Sequence, residues 1–347
     1  MFSPDYTNLV KAAKNIEVAR IPLYEHSVSN DMAENVLNKK IAPLLWGNYE
    51  DKKEYFRNYC EFFRKSGYDT VSFELGICEI LPDGGALGGH KPGAIQTRAD
   101  FERYPFDEVP DLYEKTYFDC FRALGEVMPD GMKAVGGVGN GIFECVQDLV
   151  GYMDLCILSA DDPDLYADMF KKIGDTNLEI WRRFMKAFSD SYCVLRFGDD
   201  LGFKSNTLLS ADDIIAHVVP QYKRIIDLVH SHERPFLLHS CGCIFDVMDA
   251  IIAAGIDAKH SNEDQIAPFP VWVEKYGDKI GNFGGIDTDA VCRLGEAEMR
   301  EYITDVVSKT RGHGGFAFGS GNSIPAYVPT EQFLTMNRII REVRGGE

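Results

Sequence analysis

The sequence predicts an α/β fold of the (β/α)8 TIM-barrel type with an N-terminal helical extension over residues 1–19, a doubly wound open sheet being the alternative. Three observations carry that expectation. Eight short apolar runs alternate with longer stretches of helical character. Polar side chains stand at the C-terminal end of nearly every run, where a barrel of this type builds its site. The length of 347 residues suits one barrel with added segments, and no shift of composition marks a second unit, so 1–347 is read as a single domain.

Residues up to about 65 read as helical and polar, interrupted by Arg20-Ile21-Pro22-Leu23-Tyr24-Glu25-His26, a strand-like core ending in two functional side chains. A helix from Tyr49 to Lys65 leads into the second strand, 68–76, which carries Glu74. The stretch from Pro82 to His90 is glycine-rich, and Gly84 to Gly89 is the expected lid over a pocket. A helical region follows Pro105 and ends near Pro129. The third strand, 133–141, runs into a glycine turn with Asn140, and its glycine spacing fits neither the dinucleotide fingerprint nor the P-loop.

A helix pair comes next, split near Asp161-Asp162-Pro163, where Ser159 and the aspartates read as an N-cap. The fourth strand, 192–200, ends in Asp199 and Asp200. Ser210-Ala211-Asp212-Asp213 opens a helix with capping-box spacing that runs past Pro220 to His232. The fifth strand begins at Pro235 and reaches His239-Ser240-Cys241-Gly242-Cys243. After a helix from Phe245 to Ala254, the sixth strand, 256–264, ends in Glu263 and Asp264. The seventh, 279–287, ends in Asp287; the eighth, 315–322, follows a helix from Glu296 to Thr310 and ends in Ser320 and Asn322. A helix from Glu331 to Arg344 closes the chain.

With 36 basic against 54 acidic residues, the net charge of −18 argues against a nucleic-acid or anionic-membrane partner, since both select basic patches. No window approaches the ~20 apolar residues of a membrane span. The N-terminus lacks a secretory pattern, and nine scattered cysteines sit mostly in apolar segments, as reduced thiols do. The expected location is cytoplasmic.

The chemistry concentrates at the fifth strand. Period-two alternation puts His239 and Cys241 on one side of an extended segment, and both are good ligands for zinc. Glu263 at the end of the neighbouring strand completes a nitrogen, sulfur and oxygen triad, and three protein ligands with one open position suit a catalytic zinc. The bland alternative is a buried cysteine beside a hydrogen-bonded histidine. Cys243, past the glycine turn, and Cys292, on a helix, read as packing cysteines. His90, His217, His230, His232 and His313 fall where no partner can be identified. Taken singly, Glu25 and Glu74 read equally as solvated carboxylates, Asp199 and Asp200 as turn caps, and Asp287 as a turn residue.

The stretches Phe197-Gly198-Asp199-Asp200-Leu201-Gly202, Leu238-His239-Ser240-Cys241-Gly242, Gly255-Ile256-Asp257 with Glu263-Asp264, Gly284-Gly285-Ile286-Asp287 and Gly319-Ser320-Gly321-Asn322-Ser323-Ile324-Pro325 carry a resemblance. From about Arg20 to the C-terminus the chain resembles the uroporphyrinogen decarboxylase superfamily, and within it the zinc-dependent corrinoid methyltransferases. The resemblance implies a (β/α)8 barrel, zinc on His239, Cys241 and Glu263, and a corrinoid carried by a separate partner protein. It implies methyl transfer between that cobalt and a small methylated compound or thiol, and it allows a homodimer. Glu74, Asp199 and Asp200 are then candidate catalytic groups, with Glu25, His26, Asn140, Ser320 and Asn322 as candidate substrate-binding groups.

The further cysteine of that branch would fall at or beside Ser320, where this chain has none, so substrate, water, Glu25, His26 or Cys292 stand as fourth ligands. The superfamily's metal-free decarboxylases carry an arginine-rich stretch after the first strand and a histidine in the last glycine motif. This chain has Tyr24-Glu25-His26-Ser27 and Ser320 there, and carboxylates around the mouth oppose a polyanionic porphyrinogen. The rivals are a metal-free carboxy-lyase, a zinc hydrolase on the same fold and a non-catalytic binding protein.

Overall fold

Among the described residues, seven strands pair in chain order into one parallel sheet: β1 (Thr70–Gly76), β2 (Lys133–Gly139), β3 (Tyr192–Gly198), β4 (Phe236–His239), β5 (Ala258–His260), β6 (Gly281–Ile286) and β7 (Phe316–Ser320). The computed structural model describes residues 2–89 and 91–345, so His90 lies outside the described residues. The eighth predicted strand, the first in sequence, survives as a bridge from Leu23 to Phe318. The Tyr24 amide donates to the Phe318 carbonyl at 3.0 Å and the Phe318 amide to the Pro22 carbonyl at 2.9 Å. On its other side the Ser72 hydroxyl of β1 bonds the Glu25 carbonyl. Pro22 has no amide hydrogen to give, which shortens the ladder at this seam.

The strands are apolar because both faces are covered. Residues such as Leu195, Phe197, Phe236 and Leu238 meet the surrounding helices, including Trp181 and Phe184 of the helix Pro163–Phe188. Val135, Cys193, Leu237, Ala258, Phe283 and Ala317 form a smaller inner core with Tyr24. The N-terminal helix Thr7–Ala13 closes this core through Leu9, Ala12 and Ala13, all fully buried. A side chain at Gly281 would stand 2.4 Å from the Ala12 carbonyl oxygen, so the plug seats only because that position is glycine.

Two local expectations are refined. Asp162, not Ser159, caps the helix Pro163–Phe188, accepting from the Leu165 amide at 2.9 Å; the Ser159 hydroxyl donates to the Cys156 carbonyl. Ser210 caps as expected, but the helix it opens passes through a π turn, Ile214–Val218, before continuing as Val219–Ser231. Pro220 at the start of that last segment cannot continue an α-helical ladder from the turn before it. The expected lid is fastened down: Asp148 accepts from the Gly85 and Leu87 amides at 2.8 and 3.1 Å, tying the loop to the helix Ile142–Val150. No helix among the described residues is long and apolar enough to cross a membrane.

Candidate metal centre

β4 ends at His239, and the chain turns at Gly242, whose φ of +86° favours glycine. A Cβ at Gly242 would fall 2.1 Å from Gly202, because the loops after β3 and β4 cross there. The crossing is pinned by the Gly202 amide on the Cys241 carbonyl (3.2 Å) and the Cys243 amide on the Phe203 carbonyl (2.7 Å). It brings Asp200 to Cys241, and Asp200 Oδ1 accepts the Cys241 amide at 2.9 Å. The same oxygen stands 3.8 Å from His239 Nε2, and Cys241 Sγ stands 3.4 Å from that nitrogen. Ligand atoms of Asp200, His239 and Cys241 all lie within 4.8 Å of one another.

These spacings suit one ion. Typical zinc–ligand lengths at tetrahedral angles separate sulfur from nitrogen by about 3.6 Å and nitrogen from oxygen by about 3.4 Å. The hydroxyl of Ser261 and the amide nitrogen of Asn322 donate to Cys241 Sγ from 3.5 and 3.4 Å, the orientation a thiolate calls for. A second group, His26, His239 and His260, is equally close but wrongly aimed. The rings of His26 and His239 stack at 3.6 Å and 15°, and lone pairs lying in parallel planes cannot converge on a common ion.

Burial lowers the basicity of His239 far below the usual imidazole range, with His260 and Arg196 adding to the effect. Its 3.8 Å approach to Asp200 is therefore a contact of a neutral ring and not an ion pair. Burial and the Asp200 charge push the Cys241 thiol up to about 12, so a thiolate here needs a cation. His260, fully buried, is pushed down to about 3 by the same desolvation. Its Nδ1 lies 2.7 Å from His239 Nδ1, and its Nε2 lies 3.0 Å from the Ser320 carbonyl oxygen. Lys259, buried against the face of Trp272, is pushed down to about 7.

The other expected residues divide sharply. Glu74 Oε1 lies 3.4 Å from His26 Nε2, while its Oε2 accepts from Arg196 Nε at 2.8 Å; Arg196 also donates to the Tyr24 hydroxyl at 2.6 Å. Asp199 faces away from the mouth, accepting from the Phe143 and Glu144 amides (3.0 and 2.8 Å) and the Tyr222 hydroxyl (2.5 Å), and so caps the helix Ile142–Val150. Asn140 joins the Cys78 amide to Glu144, whose other oxygen accepts the Asp200 amide. Burial and the flanking charges of Asp199 and Asp200 hold Glu144 well above the usual carboxylate range.

Ser320 is fully buried and turned toward Glu25, bonding it through its hydroxyl and amide. Glu263 belongs to neither ligand group. β5 stops at His260, and Glu263 opens a turn closed by the Ile266 and Ala267 amides on its carbonyl, so its side chain leaves the strand end. It lines a cavity of about 530 Å³ beside the centre, with Asp264, Asp287, Arg293, Asn322 and Tyr327. The cavity lies beside the donor set and not on it, and Asn322 connects the two. Cys292 and Cys243 also lie outside both groups, and all nine cysteines are free.

Sequence reasoning missed His260, Arg196 and Tyr24. Parallel register sets His239 directly against His260, so counting to the two strand ends could have paired them. An arginine inside Tyr192-Cys193-Val194-Leu195-Arg196 signals a buried partner, because charged groups are buried only when paired.

Comparison with known proteins agrees with this architecture. A methyltransferase from Methanosarcina mazei superposes with a TM-score of 0.71 at 15% identity, covering 97% of each chain. A putative vitamin-B12 independent methionine synthase from Listeria monocytogenes gives 0.55 at 13% identity, covering 94% of this chain and all of that one. A B12-independent methionine synthase from Shewanella sp. W3-18-1 gives 0.52 at 13% identity, covering 85% and 87%. No curated protein sequence matches the chain. The uroporphyrinogen decarboxylase (URO-D) family model matches residues 88–343, most of the barrel, and the chain belongs to that family.

Proposed function

We propose that this chain is a zinc-dependent methyltransferase that moves a methyl group between a small methylated compound or thiol and the cobalt of a separate corrinoid protein. The observation that carries the reading is the convergence of His239 Nε2, Cys241 Sγ and Asp200 at spacings that fit zinc. Asp200 thus takes the oxygen position that the sequence pattern gave to Glu263. The likeness to a methyltransferase over nearly the whole chain supports the fold on which this reading rests.

Zinc held there would supply Lewis acidity, lowering the basicity of a bound thiol or drawing electrons from the leaving heteroatom of a methyl donor. The protein's own groups supply the rest. Ser261 and Asn322 hold Cys241 Sγ in place by hydrogen bonds, and Asn322 meets substrate on its cavity side. Arg196 anchors Glu74, and Glu74 keeps His26 stacked on His239, walling one side of the centre against water. The mouth and cavity are open enough for a small molecule, and the corrinoid arrives on a partner docking over the mouth.

Zinc analysis of purified protein under reducing conditions, with His239→Ala and Cys241→Ala beside wild type, tests the centre. About one equivalent in wild type and loss in both variants is expected. Demethylation of methylcobalamin by 2-mercaptoethanol, followed by absorbance, tests the transfer. Zinc-free wild type, or zinc-loaded protein inert toward methylcobalamin but hydrolytic toward esters, would turn the reading to a decarboxylase or a hydrolase respectively.

A further inference from the structure

We infer that His260 is a positioning residue that fixes the tautomer of His239, and that the Ser320 carbonyl sets the direction of this relay. The inference rests on the metal reading above for its purpose but not for its geometry. A carbonyl oxygen only accepts, so His260 Nε2, 3.0 Å from Ser320 O, carries a hydrogen. A neutral imidazole has one N–H, which leaves His260 Nδ1 bare. The atom 2.7 Å from it is His239 Nδ1, and two bare nitrogens at that distance would repel, so His239 Nδ1 carries a hydrogen and donates it.

His239 is then bare at Nε2. That nitrogen is the one 3.4 Å from Cys241 Sγ and 3.8 Å from Asp200 Oδ1. The opposite tautomer would aim an N–H at the thiol and leave no lone pair for a cation. The 2.7 Å approach of the two Nδ1 atoms admits only one hydrogen between the rings, and both rings are buried, His260 completely, where an imidazolium is disfavoured. The register of β4 against β5 sets His239 beside His260, and the backbone at the end of β7 closes the relay.

This gives the last strand a part in the centre without a ligand on it. The Ser320 side chain is spent on Glu25, and its carbonyl orients the ligand from one shell out. Outer partners of this kind typically change metal affinity by 10–100-fold when removed.

Long-range 1H–15N NMR on metal-free protein reads the tautomer directly, with the His239 signals identified by their loss in His239→Ala. Wild type is expected to show a pyridine-like Nε2 and a pyrrole-like Nδ1 on His239. In His260→Leu that pattern should collapse or reverse, and zinc affinity, measured by chelator competition, should fall about 10–100-fold. His260→Asn, which keeps an acceptor oxygen near the lost Nδ1, should recover most of both and guards against a folding failure of the leucine variant. A protonated Nε2 on His239 in wild type, or a His260→Leu protein unchanged in tautomer and affinity, overturns the inference. Wild type with the expected tautomer but no zinc binding would leave the relay standing and remove the metal reading.

Discussion

Replacing Glu25 by glutamine should stabilise this protein at alkaline pH. Glu25 is fully buried, and its carboxyl touches Tyr68 at 3.0 Å, the Ser320 amide at 3.2 Å and the Ser320 hydroxyl. Burial raises it from 4.5 to about 7, against hydrogen bonds that pull the other way. As an acid it can donate to the Ser320 hydroxyl, which then donates onward to the Asn322 carbonyl at 2.6 Å. The folded state holds this proton to a higher pH than the unfolded chain, so the sign is opposite to that of an ion-paired carboxylate. Below pH 4.5 both states are protonated and the group contributes no slope. Between 4.5 and about 7 stability falls with pH, and above that it stays lower by about 3 kcal/mol. Glutamine keeps a permanent donor toward Ser320 and cannot ionise. Equilibrium urea unfolding at pH 5, 6, 7 and 8 on both proteins isolates the term, since other titrating groups cancel in the difference. The variant should gain on wild type by about 2.5 kcal/mol across that range. A difference that does not change with pH, or one that grows toward acid, would refute the reasoning.

Two further substitutions separate ligands from neighbours. Asp200→Asn should lower zinc affinity at least tenfold while Glu263→Gln leaves it unchanged; chelator competition reads both, and the reverse order would restore Glu263 to the centre. Asp199→Ala removes the cap of the helix Ile142–Val150 and strands the Tyr222 hydroxyl, for a loss of about 3 kcal/mol, with Asp199→Asn losing less. Chemical denaturation measures that loss, and zinc content should not change.

How far the sequence was legible depended on whether backbone or side-chain geometry decided the matter. Most strands announced themselves by an apolar run, because the sheet is covered on both faces; β5, Ala258-Lys259-His260, is the exception. The nearness of His239 to Cys241 was legible because both stand at one strand end, two residues apart. Asp200 was legible as a polar residue but not as a neighbour of Cys241, because that contact depends on two loops crossing at Gly202 and Gly242. Glu263 had the right residue type one strand along, yet β5 ends three residues before it. Asp199 and Asp200 are adjacent in sequence but meet different partners, Asp199 the start of the helix Ile142–Val150 and Asp200 the Cys241 amide.

Charge explains why this set of three suits the place it occupies. In the proposed ligand set one thiolate, one carboxylate and one neutral imidazole would carry two negative charges, which a divalent ion held there would cancel. Burial and the charge of half-exposed Asp200 oppose a thiolate at Cys241, whose thiol is pushed up to about 12. His239 cannot relieve that strain by taking a proton, because burial and the nearby Arg196 keep it neutral. On the proposed ligand set, binding a divalent ion should release the Cys241 proton, one for each ion bound near neutral pH. Cys241→Ala should bind more weakly and release none, and proton release measured in weakly buffered solution distinguishes this centre from one built on carboxylates alone.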